Sequence, residues 1–278
     1  MIPFYPSEYY WLILLGVAVG LYGTLIGAGG GFVLMPILLM LHPKVSPEHL
    51  TAISLAVVFF NALAGSESYA MMKRIDYKSG LMFAAATIPG AIIGALSTSY
   101  VPRHLFNGIF GVLLIAGSAF LFWRPAAKHH LERPHLHHPH VYRYLMAADG
   151  EEYEYNFNPL VGIGISFVVG YASSFLGIGG GIIHVPALIY FLDFPVHIAT
   201  ATSHFILAIM ALTGTLVHIW TGAFDIGVKH TLCLSIGVLL GAPVGAYLSS
   251  RVHGTWIIRS LALALGLVGI RILFMFFE

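Results

Sequence analysis

The sequence predicts an all-α polytopic membrane protein made of two homologous repeats, each with four to five transmembrane segments and a Gly-rich broken or short helix. Three observations carry this reading. Charge is scarce over most of the chain, apolar runs of membrane-spanning length recur along it, and one glycine pattern occurs twice at matched positions.

Of 278 residues, 9% are charged and 58% hydrophobic, against roughly 25% and 45–50% in soluble domains. Nine of the 25 formal charges fall between Arg124 and Asn158, so the rest of the chain cannot build a water-compatible surface. This composition excludes a soluble enzyme, an extracellular disulfide module and a disordered protein, and leaves a multi-spanning membrane protein. A net charge of +1 argues against a broad nucleic-acid-binding face. Cys233 is the single cysteine, which permits no intramolecular disulfide and no cysteine metal cluster.

The elements follow in order. The opening stretch MIPFYPSEYYWLILL lacks the basic region and small-residue cleavage site of a signal peptide, so it reads as the start of a first helix. Tyr9, Tyr10 and Trp11 there suit an interfacial aromatic belt. Long apolar runs lie near 9–28, 50–72, 79–99, 104–123, 159–178, 197–220, 229–250 and 255–276. A span needs about 20 such residues. Two shorter runs, 32–41 and 182–192, suit half-helices or re-entrant segments. The chain therefore divides into a first transmembrane repeat (1–123), a polar linker (124–158) and a second repeat (159–278). The linker carries Arg124, Lys128, Arg133 and Arg143, and the positive-inside rule assigns it to the cytoplasm.

The halves match in sequence. GLYGTLIGAGGG at 20–31 precedes GYASSFLGIGGG at 170–181, and a proline follows each five residues later, Pro36 and Pro186. TAIS at 51–54 matches TATS at 200–203, Gly65 matches Gly214, RID at 74–76 matches AFD at 223–225, and GAIIG at 90–94 matches GAPVG at 241–245. Duplicated membrane domains with interrupted helices point to a transporter whose site lies between the repeats. Five crossings per half make the repeats inverted, with Lys73, Arg74, Lys78 and Arg251 beside the linker and Lys44, Arg103 and Lys229 at the other face. Four crossings make them parallel. The inverted arrangement is favoured because it turns two Gly-rich loops toward one shared centre.

The candidate substrate-binding residues follow from this centre. Gly29, Gly30 and Gly31, and Gly179, Gly180 and Gly181, uncover backbone N–H groups at the start of each short helix, where the dipole favours an anion. The same glycines also suit close helix packing. Thr51, Ser54 and Asn61 share one face of the first-half helix, and Thr202, Ser203 and His204 stand on its partner. Polar groups at membrane depth face the bundle interior or a wet cavity. They can donate to an oxyanion or bond helix to helix. His184 follows the second glycine run where the first half has Leu34. Glu67 reads as lying near the end of its helix. No Arg or Lys lies mid-span in the first eight apolar runs, so an anion site here relies on dipoles and neutral donors rather than an arginine clamp.

At these residues the chain resembles the sulfite exporter TauE/SafE family of membrane transporters. The likeness rests on the paired G-x-G-G-G with its proline, on ATATS at 199–203 and on the repeated Gly-Ala-x-x-Gly. It implies a bacterial inner-membrane carrier for sulfur-containing anions such as sulfite or organosulfonates, with the glycine runs and the Ser54 and Ser203 region as substrate contacts. It implies no cofactor. The expected partners are a small anion, the lipid bilayer and, where copies associate, a second copy in a homodimer. The histidines of HHLERPHLHHPH at 129–140 motivate a divalent-metal carrier instead, and a non-transporting sensor or scaffold is the other alternative. An intramembrane enzyme lacks its usual motifs: no Gly-x-Ser-x-Gly, His-Glu-x-x-His or paired intramembrane aspartates occur.

Overall fold

The computed structural model describes residues 8–123, 141–224 and 227–277. The histidine tract at 129–140 and Asp225, the sequence match of Asp76, lie outside them. The described chain forms α1 (Glu8–Leu25), α2 (Gly31–Leu41), α3 (Pro47–Met71), α4 (Tyr77–Ser97), a 3₁₀ turn (Thr98–Tyr100) and α5 (Arg103–Trp123). A β-hairpin of β1 (Val141–Met146) and β2 (Glu152–Phe157) follows. Then come α6 (Pro159–Leu176), α7 (Gly181–Phe191), α8 (Val196–Trp220), α9 (Val228–Ser249) and α10 (Gly254–Phe277).

Among the described residues, seven helices are long and apolar enough to cross a membrane, and α1 is a slightly shorter apolar helix. α2 and α7 have 11 residues each, about 16 Å of helix, or half a bilayer core. Large apolar side chains such as Leu63, Leu81, Ile93, Val112, Leu216, Leu240 and Leu267 face outward, as a lipid-facing girdle requires. Tyr10 and Trp11 are exposed at the start of α1. Glu67 also points outward from α3, away from the bundle interior.

The helices pair across the two halves. α1 packs on α9, α4 on α6, α3 on α8, and α5 on α10. Glycine makes the first two pairings close. A Cβ on Gly241 would lie 2.8 Å from the Leu21 nitrogen, and one on Gly90 would lie 2.9 Å from the Tyr171 nitrogen. The Gly-Ala-x-x-Gly repeats thus let backbones touch, a common device where lipid supplies no hydrophobic drive between helices. Direction can be read from the same contacts. Leu55 meets Gly214, while Gly65 meets His204, so α3 and α8 run antiparallel. Gly111 meets Leu273 and Gly117 meets Leu265, so α5 and α10 do too.

The two ends of the bundle differ. At one end Arg103 donates to the carbonyls of Leu39, His42 and Val45, which satisfies the C-terminus of α2. The ring of His42 meets that of His230 there, one residue after Lys229. At the other end lie Lys73, Arg74 and Lys78, with the hairpin docked on Arg74 and Asp76. Arg74 pairs with Asp149 at 2.7 Å. Asp76 caps the start of α4, accepts from the Tyr155 hydroxyl at 2.8 Å and pairs with Arg143 at 3.3 Å. The Tyr155 and Phe157 rings pack on Phe194, between α7 and α8. Part of the linker read as a plain polar connection is therefore folded β structure in an otherwise helical chain. It straps the α3–α4 corner to the α7–α8 turn.

Candidate substrate site

The two glycine loops meet at the crossing of α3 and α8. Val58 and Leu207, matched residues of those helices, flank both loops: a Cβ on Gly29 would lie 3.2 Å from Val58 Cγ1, and one on Gly179 would lie 3.3 Å from Leu207 Cδ1. The loops touch each other as well. A Cβ on Gly31 would lie 2.6 Å from the Ile178 carbonyl carbon, and one on Gly181 would lie 2.6 Å from the Ala28 Cα. Only glycine allows this approach. Gly27, Gly29 and Gly30 have φ of 76°, 74° and 78°, and Gly177 and Gly179 have 68° and 66°, all in the left-handed region. Gly180 differs from Gly30, its counterpart, with φ of −23°.

Ser54 and Ser203 anchor the loops crosswise. Ser54 donates to the Gly177 carbonyl at 2.6 Å, and Ser203 donates to the Gly27 carbonyl at 3.5 Å. The hydroxyls expected to face a substrate therefore hold loop carbonyls in this closed arrangement. Thr51 is also here, its Oγ1 lying 3.1 Å from a Cβ on Gly177. It is fully buried, with no hydrogen-bond partner among the described residues.

Asn61 and His204 gather beside the first loop around Thr24. The Thr24 hydroxyl donates to Asn61 Oδ1 at 3.1 Å, and His204 Nε2 shares a 3.2 Å hydrogen bond with the same hydroxyl. Tyr69 donates to the Thr24 carbonyl at 2.7 Å and stands edge-on to the His204 ring. Gly65 makes room for that imidazole, since a Cβ there would lie 2.7 Å from His204 Nε2. Two expected residues sit elsewhere. Thr202 accepts from the Asp76 N–H at 3.1 Å, at the α3–α4 corner. His184 shares a 3.1 Å hydrogen bond with Ser166 and packs near Phe83, on α6 and α4.

Sequence reasoning missed several buried polar groups. Ser173 and Ser174 precede the second loop, and His218 lies in the last turn of α8. All three are fully buried. It also missed the docking of the hairpin. Burial first, and then the Asp76 carboxylate, push the Tyr155 phenol far above its ordinary range, so it stays a donor to Asp76. The Asp149 carboxyl is held below the usual range by the Glu151 N–H first and by Arg74 as well.

Among the described residues, no group of three His, Cys, Asp or Glu is arranged to hold a metal ion. The centre offers backbone dipoles, hydroxyls, an amide and an imidazole.

Relatives have the same extent. The chain is 33% identical over 270 residues to the probable membrane transporter protein YunE of Bacillus subtilis, covering 95% of this chain and 96% of that one. It is 24% identical over 271 residues to a probable membrane transporter protein of Methanocaldococcus jannaschii, covering 93% of each. A probable membrane transporter protein of Xylella fastidiosa is 26% identical over 253 residues, 88% of each chain. No solved structure matches the chain. The family described as sulfite exporter TauE/SafE matches residues 12–272, across both glycine loops and the bundle around them, and this membrane transporter chain belongs to it.

Proposed function

We propose that this transporter is a secondary carrier exporting a small sulfur-containing anion, sulfite or an organosulfonate such as sulfoacetate, by alternating access. The observation that carries the reading is the meeting of the two glycine loops, each opening a half-helix, at the crossing of α3 and α8. The first N–H groups of a helix have no partner within it, and the dipole there favours negative charge. When the loops part, those groups face a common space. Ser54 and Ser203 are then released from the loop carbonyls and can donate to the anion. Asn61, His204 and Thr24 hold the frame of the first loop.

In this reading residues 1–123 and 159–278 are inverted repeats. The antiparallel run of α3 against α8 and of α5 against α10 supports that, because matched helices related by an axis along the membrane normal would be parallel. The hairpin end faces the cytoplasm of a bacterial inner membrane, in keeping with Lys73, Arg74, Lys78 and the linker cations. Export of a monovalent anion then runs with an inside-negative potential, worth about 2.3 kcal/mol per charge per 100 mV. In principle no coupling ion is required. The family's description as sulfite exporters supports the choice of anion.

The test is a thermal-shift series on purified protein with sulfite, sulfoacetate, taurine, sulfate and zinc. Stabilisation by sulfite or a sulfonate, without zinc, is expected, and Gly180→Leu should abolish it. Zinc stabilisation that survives deletion of 129–140 would replace this reading with metal transport.

A further inference from the structure

We infer that the anion is seated at the second glycine loop, by Ser173 of α6 and Thr51 of α3 beside the start of α7, with Ser174 behind them. This rests on the anion-carrier reading above and adds which loop holds the anion and through which atoms.

Matched positions of the two halves differ in their hydrogen bonding. Ser173 is fully buried, its Oγ lies 2.9 Å from a Cβ on Gly180, the residue that caps α7, and it has no hydrogen-bond partner among the described residues. Its counterpart in the first half is Gly23, which has no side chain to offer. Thr51 Oγ1 is buried and unpartnered beside Gly177, whereas its counterpart Thr200 donates to the Val196 carbonyl at 2.8 Å. Ser174 Oγ, 3.1 Å from a Cβ on Gly214, is buried and unpartnered, whereas Thr24 bonds Asn61 and His204. His218 has both ring nitrogens buried and unpartnered, whereas Tyr69 at the matched position bonds the Thr24 carbonyl.

At each of these four positions the second half has the unpartnered group, while beside the first loop Asn61 Nδ2 and His204 Nδ1 are the atoms without a partner among the described residues. The residues that satisfy the first cluster are replaced in the second by Leu55 for His204 and Met210 for Asn61, which cannot hydrogen-bond a hydroxyl. Buried polar groups are nearly always paired, so the unpaired hydroxyls of Ser173 and Thr51, both against the loop that opens α7, signal a partner that comes from outside the chain. The chemistry of the partner follows from the set. Hydroxyls and the positive end of α7 suit a compact oxyanion with several acceptor oxygens. Val169 and Met210, 3.0 and 3.2 Å from a Cβ on Gly180, wall the seat with apolar groups and bound its size. The loop lies closed over the seat, so entry requires it to part from α8.

The test measures sulfite affinity of the full chain in detergent. Ser173→Ala and Thr51→Val should each weaken sulfite about tenfold, while the melting temperature without sulfite stays level or rises. That second readout separates a binding role from a packing role, since removing an unpaired buried hydroxyl does not harm the fold. Because the two variants lie on different helices, one misfolding leaves the other decisive. Unchanged affinity in both would overturn this assignment and leave the carrier reading intact. So would a loss confined to Asn61→Met and His204→Leu, which give the first cluster the residues of the second. Wild-type protein that binds neither sulfite nor sulfoacetate would instead remove the carrier reading, and this seat with it.

Discussion

The first glycine loop and the second share a backbone frame but not a polar environment. Both are pinned by a serine from the opposite half, both touch Val58 and Leu207, and each presses on the other. Around the first, Thr24 ties Asn61, His204 and Tyr69 into one network. That network leaves Asn61 Nδ2 and His204 Nδ1 over, whereas at the matching positions of the second half the Ser174 hydroxyl and both His218 ring nitrogens have no partner among the described residues. The difference teaches that duplication preserves what geometry demands and releases what it does not. Two loops that meet must both be glycine, and both carbonyls must be anchored.

The comparison can be broken most sharply at the glycines. Gly31→Ala and Gly181→Ala each drive a methyl into the opposite loop, and overpacking of this kind costs about 1–3 kcal/mol or more. Thermal unfolding in detergent should show similar losses for the two, and a large disparity would mean that the frames are not equivalent. Next, Ser54→Ala should cost about 1–3 kcal/mol by stranding a buried carbonyl. Ser203→Ala, whose bond is 3.5 Å long, should cost clearly less. Equal losses would erase that asymmetry. A third pair bears on the polar environments: Thr24→Ala should destabilise by about 1–2 kcal/mol because two partners lose their bond. Ser174→Ala should be neutral or slightly stabilising.

The smallest expected effect concerns the hairpin, which has no counterpart in the second half. Asp149 has a depressed pKa in the folded protein, so its contribution is present above the unfolded value and is lost as pH falls through the folded one. Acidification below the ordinary carboxylate range should therefore loosen the Arg74 contact. Amide exchange in 141–157 should rise there before the helices respond. The effect is modest because Asp149 is 48% exposed.

Much of this architecture was legible in the residues. Hydropathy located the helices to within a few positions, because membrane spans depend on length and apolarity alone. The doubled glycine pattern announced the loops, since little else tolerates such conformations and contacts. The hairpin was legible in principle: Tyr142, Tyr144, Tyr153 and Tyr155 alternate with other residues around Asp149-Gly150, a strong turn signal. Its charge and proximity to the histidine tract masked it. The relation of Ser173, Ser174 and His218 to the second loop was not legible. Serine and histidine in a span look alike whether or not a neighbour satisfies them, and that depends on helices brought together from distant parts of the chain.

The exchange of helices between halves also bears on how the protein is made. α1 (Glu8–Leu25) leaves the ribosome well before the helix it packs against, α9 (Val228–Ser249). α4 likewise waits for α6, beyond the linker. Until then the glycine faces of α1 and α4 have no partner from the second half beside them. A chain stopped at residue 158 would hold four helices, α1, α3, α4 and α5, whose main partners do not yet exist, so insertion must run ahead of assembly. The last quarter of synthesis then closes the bundle.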